Sequence, residues 1–94
     1  MLVKVRIFGT LRLDLKKDQM DIELTGEQAT VSELLALLSE RLGEIFYERL
    51  FQDEKTRRGV IILVNGQNIY HLEGLETKIG NEDVISIFPP GAGG

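Results

Sequence analysis

The sequence predicts an α+β domain, a mixed sheet packed on one main helix. Three observations carry that expectation. Residues 2–8 alternate between two faces, as a half-buried strand does. Residues 31–42 repeat leucines at helical spacing. Residues 60–64 and 83–88 are runs rich in β-branched side chains, each next to a turn signal.

In chain order, Val3, Val5 and Ile7 share one face of the first strand, and Leu2, Lys4, Arg6 and Phe8 the other. Gly9 to Lys17 reads as the turn that follows. A second strand spans Gln19 to Leu24 with Met20, Ile22 and Leu24 inward, and Thr25-Gly26-Glu27 breaks it. These two strands are close enough in sequence to form a hairpin.

Thr30-Val31-Ser32-Glu33 is a capping box, in which the Thr30 hydroxyl accepts from the Glu33 amide and Glu33 reaches back. Val31, Leu34, Leu35, Leu38 and Leu42 then form one apolar stripe, and Gly43 is the expected C-cap. Glu44 to Phe51 reads as a shorter helix or turn. Gln52 to Gly59 reads as a mobile polar loop, with Arg57 and Arg58 solvated on it.

Val60 to Val64 is continuous enough for a central strand buried on both faces. Asn65-Gly66 is a tight-turn signal. Gln67 to Tyr70 continues as a short strand, and Leu72 to Leu75 as a helical turn. Gly80-Asn81 leads into the last strand, Asp83 to Phe88, expected to lie parallel to the first and beside it. Two segments result: a domain over 1–88 and an extended tail over 89–94.

Composition removes many functions. At 94 residues the chain is one small domain. It has no cysteine, so disulfides, thiolate metal sites and a cysteine nucleophile are out. His71 is the lone histidine, which leaves no His-His metal site, and no metal is expected on this chain. A phosphate-binding GxxxxGK[ST] run is missing, and Glu73 and Glu76 read as a solvated pair. The formal charge of −4 argues against a general nucleic-acid binder. With no apolar run of membrane-spanning length and no signal-like N-terminus, a cytoplasmic protein is expected.

The chemistry that remains is at the end, Pro89-Pro90-Gly91-Ala92-Gly93-Gly94. Two prolines stiffen the exit from the last strand and cannot extend a ladder. Past them the thread has almost no side chains. What it offers is the Gly94 carboxylate, open to attack because Gly94 has no Cβ. Extended from Pro89, the tail would reach about 20 Å. Ordering it costs about 1–2 kcal/mol per residue, so affinity for a partner must come from an apolar patch on the body near the tail root.

These stretches together resemble the MoaD-like small subunits of molybdopterin synthase, sulfur carriers of the ubiquitin-like β-grasp superfamily. The resemblance runs through Lys4-Val5-Arg6-Ile7-Phe8-Gly9-Thr10-Leu11-Arg12, through Val64-Asn65-Gly66, and from Leu75 through Phe88-Pro89-Pro90 to Gly94. It implies a β-grasp fold. It also implies an E1-like, MoeB-like enzyme that adenylates Gly94 with ATP, and a persulfide sulfur donor that leaves a thiocarboxylate. The tail, Pro89, Pro90, Gly91, Ala92 and Gly93, would then enter a MoaE-like large subunit. ATP, and zinc where present, would belong to the activating enzyme, and this chain would bind no cofactor and perform no catalysis alone.

By matching positions, the resemblance places partner contacts at Phe8, Arg12, Phe88 and, as the nearest match to a third position, Ile69. Departures from the family pattern are Gly91, where a larger apolar residue is commoner, Leu13 after the matching arginine, and a longer stretch at 46–59. Two other functions carry the same kind of terminus: a ubiquitin-like protein modifier or tRNA-thiolation carrier, and an interaction module with an inert tail. A thiamin-pathway carrier fits less well, because such carriers are shorter.

Overall fold

The computed structural model describes residues 1–91 and has the expected α+β layers. The first strand, β1 (Leu2–Ile7), buries Val3, Val5 and Ile7 and exposes Leu2, Lys4 and Arg6, as its alternation dictates. The segment expected to be a turn is instead a short helix, α1 (Gly9–Leu15), closed by Lys16 in the left-handed region at φ 56°. Its driving force is Leu11, fully buried, with Leu15 one turn on packed at the edge of the core.

Strand β2 (Gln19–Glu23) pairs antiparallel with β1, with Val5 opposite Met20 and Val3 opposite Ile22. A small strand, β3 (Gln28–Thr30), leads into the main helix α2 (Val31–Leu42). The capping box forms in full: the Glu33 amide donates to Thr30 Oγ1 at 3.1 Å, and Glu33 Oε1 accepts from the Thr30 amide at 3.0 Å. Val31, Leu34, Leu35 and Leu38 are buried. Gly43 ends the helix, its N–H donating to the Ser39 carbonyl, and the chain turns at once into α3 (Glu44–Leu50), which buries Phe46 and Leu50.

The stretch expected to be a loop holds a small hairpin, β4 (Phe51–Gln52) with β5 (Lys55–Thr56). Strand β6 (Ile61–Val64) was expected to be covered on both sides. It is covered on one: Ile62 and Val64 are buried, whereas Ile61 is 43% exposed and Leu63 half-buried. Every helix packs on the same side of the sheet, so a run of apolar residues here marks an open apolar face rather than a two-sided core. Asn65 and Gly66, both at positive φ, make the tight turn to β7 (Gln67–Asn68). From there the chain leaves the ladder as two single 3₁₀ turns, Ile69–His71 and Gly74–Glu76. Strand β8 (Lys78–Gly80) pairs with β3, and β9 (Val84–Phe88) closes the sheet.

The main sheet runs β2-β1-β9-β6-β7. The last strand lies parallel to the first, Val5 opposite Ile85 and Ile7 opposite Ile87, and antiparallel to β6. The core is the inner face of β1, β9 and β6 against Leu11, the α2 stripe, Phe46 and Leu50. Asn65 and Asp83 lock the far end of β9: Asn65 Nδ2 donates to Asp83 Oδ1 at 2.9 Å, and the Val84 amide donates to Asn65 Oδ1 at 2.9 Å. No helix among the described residues is long and apolar enough to cross a membrane.

Candidate functional site

Period-two geometry fixes the outward face of the central strands. With Val5, Ile7, Ile85 and Ile87 buried, Arg6, Phe8, Val84, Ser86 and Phe88 must point away from the helices. Phe8 follows the end of β1 and Phe88 ends β9, so two parallel neighbours deliver their aromatic rings to one place. The rings stack with centroids 4.3 Å apart and planes 7° from parallel. The Arg6 guanidinium lies 5.5 Å from the centre of the Phe8 ring. On the other side Ile61 stands opposite Phe88 across the β6–β9 pair, with Leu63 opposite Ser86. The result is an apolar strip across the open face, ending where the tail begins.

Phe8 and Phe88 are therefore brought together, half-buried, on the surface expected for a partner. Ile69 is not with them. It sits in the core at 8% exposure, so its side chain has little surface to offer, while its neighbour Tyr70 is 83% exposed. Arg12 is exposed on α1 and rims a separate shallow cleft with Leu13, Lys16, Lys17 and Asp18. Sequence reasoning missed Ile61 because it was counted as core. The available signal was register, which sets it beside an outward-facing Phe88.

The tail root is firmer than an extended thread leaving at residue 89. Pro89 is buried and Pro90 half-buried. Gly9 opens α1 at φ 64°, and a β-carbon there would lie 3.3 Å from Pro89 Cγ, so the glycine lets the proline ring settle against α1. On the other side, Pro90 Cα lies 3.6 Å from where a β-carbon on Gly59 would stand. The body thus holds the chain as far as Pro90, and Gly91 is exposed. The remaining tail positions named above, Ala92, Gly93 and Gly94, lie outside the described residues.

A cleft of about 680 Å³ opens at this root, between Pro89, Pro90 and Gly91 on one side and Glu48, Arg49, Gln52, Arg57 and Arg58 on the other. Its arginines come from α3 and from the turn after the 51–56 hairpin, where Arg57 is partly buried against α3 and Arg58 is exposed. Arg49 pairs with Asp14 at 2.6 Å, tying α3 to α1. Arg57 donates from Nε to the Glu48 carbonyl at 2.6 Å and from Nη1 to Gln52 Oε1 at 3.3 Å. Among the described residues no group of three or more His, Cys, Asp or Glu side chains is arranged to hold a metal.

The chain matches the model of the ThiS family over residues 5–94. An Archaeoglobus fulgidus protein assigned as a sulfur carrier protein is 37% identical over 94 residues, 100% of both chains. The solution structure of small archaeal modifier protein 1 from Methanosarcina acetivorans is 33% identical with a TM-score of 0.79, covering 99% of this chain and 96% of that one. A Pyrococcus furiosus protein assigned as subunit 1 of molybdopterin converting factor is 31% identical with a TM-score of 0.74, covering 96% of this chain and 98% of that one. The chain belongs to the ThiS family of small, ubiquitin-like β-grasp sulfur carriers.

Proposed function

We propose that this chain is a sulfur carrier whose Gly94 carboxylate is activated by an E1-like, MoeB-like enzyme and converted to a thiocarboxylate for molybdopterin synthesis. The observation that carries the reading is a Gly-Gly terminus issuing from a tail root that the fold holds in place, beside an exposed aromatic pair. Family membership supports the carrier role, and the likeness to an assigned subunit 1 of molybdopterin converting factor supports the choice of pathway.

In the proposed reaction a Gly94 carboxylate oxygen attacks the α-phosphorus of ATP, forming an acyl adenylate and releasing pyrophosphate. A persulfide sulfur of the donor then attacks the Gly94 carbonyl carbon, and AMP leaves. A thiol cleaves the acyl disulfide, so the donor departs as a disulfide and the carrier keeps the thiocarboxylate. This chain's part is to dock through the Phe8–Phe88 strip and present an unhindered carbonyl on a thread narrow enough for a closed site. A MoaE-like large subunit then receives the loaded tail and supplies the catalytic groups.

A second reading is favoured by the likeness to small archaeal modifier protein 1. There the same acyl adenylate ends as an amide on a lysine of another protein. Intact mass after incubation with an activating enzyme, ATP and a persulfide donor separates the two, with a Gly94-deleted chain as control. Exchange of one oxygen for sulfur, absent from the control, is the expected result. Covalent adducts to other proteins without that exchange would move the modifier reading to first place. An unchanged mass with an activator competent on another carrier would sink both.

A further inference from the structure

The cleft at the tail root has a charge opposite to that of the rest of the molecule. Arg49, Arg57 and Arg58 line it against the single carboxylate of Glu48, while the whole chain carries −4. Asp14 answers Arg49 at 2.6 Å, which leaves Arg57 and Arg58 as the positive end of the cleft.

Arg57 is held for presentation. Its amide donates to the Leu50 carbonyl at 2.8 Å, its Nε to Glu48 O and its Nη1 to Gln52 Oε1, leaving Nη2 without a partner among the described residues. Arg58 is exposed and makes no hydrogen bond among them. The turn that carries both lies beside the tail root: the Val60 amide donates to the Arg57 carbonyl at 3.2 Å, and a β-carbon on Gly59 would stand 3.6 Å from Pro90 Cα. A partner that reaches Gly91 meets these guanidinium groups in the same cleft.

We propose that this cleft receives an acidic segment of the enzyme that activates the tail, its carboxylates pairing with Arg57 and Arg58. The Arg57 guanidinium, fixed by two hydrogen bonds, suits a carboxylate in a protein partner, and the exposed Arg58 adds a second positive charge beside it. The contact is separate from the aromatic strip and gives the partner a means of choosing this carrier: an approaching acidic segment is attracted here and repelled by the acidic remainder. The inference rests on the carrier reading, and its test has an arm that does not.

In that arm a hexaglutamate peptide is titrated into the full chain and backbone amide shifts are followed. The expected result is saturable shifts at Gln52, Arg58 and Gly91, abolished by Arg58→Glu with the amide spectrum otherwise retained. Absence of localised shifts would overturn the inference. So would equal shifts from inorganic phosphate at the same concentration, which would make the cleft a small-anion site.

The second arm measures KM and kcat for adenylation by an enzyme that activates the wild-type chain. Arg58→Glu should raise KM about tenfold at low salt and leave kcat unchanged, and Arg58→Lys should recover most of the loss. The wild-type KM should rise with salt and the variant's should not. Equal KM values for the two chains at every salt concentration would overturn the inference. Failure of every activator on the wild-type chain would instead count against the carrier reading, leaving the peptide titration to decide this one.

Discussion

Replacing Phe88 by alanine tests whether the stacked pair serves the fold or a partner. Phe8 and Phe88 are only partly buried, so each keeps some apolar surface to lose to a partner. A fully buried phenylalanine is worth about 1.5–3 kcal/mol by area. For a half-buried ring without a sealed cavity, Phe88→Ala should therefore cost about 1–2 kcal/mol of folding free energy. In a domain of this size that lowers Tm by about 5–15 °C. A centroid separation of 4.3 Å with nearly parallel rings adds a direct coupling of about 0.5–1.5 kcal/mol between Phe8 and Phe88. Urea denaturation of the two single variants and the double variant measures it as a cycle.

The affinity for a large subunit should fall further than the stability does. An aromatic anchor at the centre of an interface costs at least about 2 kcal/mol when truncated, roughly thirtyfold in Kd. A domain stable by about 5 kcal/mol that loses 2 is still about 99% folded, so unfolding does not account for such a loss. Calorimetric titration of the variant at a temperature where circular dichroism shows it folded gives the number. A Kd within about threefold of wild type would refute the docking role of the strip, and a coupling near zero would refute the stacking energy.

Three smaller predictions follow from the local geometry. Thr30→Ala should cost about 1 kcal/mol, and Thr30→Ala with Glu33→Ala should cost less than the sum of the two single losses, because the capping box is reciprocal; urea titration of the set decides it. Asn65→Ala should cost about 2 kcal/mol, since it removes the bonds to Asp83 and Val84 and leaves an alanine at φ 50°, whereas Asn65→Gly should cost less; melting curves order the two. Gly9→Ala should cost more than Gly26→Ala although φ is 64° and 83°, because only at Gly9 does the new carbon meet Pro89, at 3.3 Å; equal losses of Tm would show that Pro89 is not held there.

Most of the layers are legible in the sequence because they rest on patterns that local sequence records. The alternation of Val3, Val5 and Ile7 and the stripe from Val31 to Leu38 each state a period and a face. Helix α1 was missed because Gly9-Thr10 and Lys16-Lys17-Asp18 outweighed the two leucines, Leu11 and Leu15, that make its one apolar contact line. Strands β3 and β8 are three residues each and exist only through each other, a pairing with no local signature. The Val60–Val64 run gave the strand but not its exposure, since whether a second layer covers a sheet depends on where every helix goes. At the site, Phe8 and Phe88 were legible from alternation alone. The cleft was not, because Arg49, Arg57 and Pro90 meet only after α3 and the hairpin have folded back on the end of β9.

The firm tail root constrains any partner. If the body let go of the chain at Phe88, the Gly94 carboxylate proposed to react could be delivered anywhere within about 20 Å of the sheet. Pro89 is buried against α1 and Pro90 is half-buried, so the held root ends four residues before Gly94, a length of chain that spans about 14 Å when extended. A partner docked on the Phe8–Phe88 strip must therefore keep its reactive centre within that distance of Gly91. Holding the root also removes the cost of ordering Pro89 and Pro90, about 1–2 kcal/mol for the pair because each proline is already restricted at φ. Loosening the root, as Gly9→Ala should, would then slow activation by raising KM even where the aromatic strip is untouched. Unchanged activation by a variant with a displaced Pro89 would show that the partner, not the carrier, orders this part of the tail.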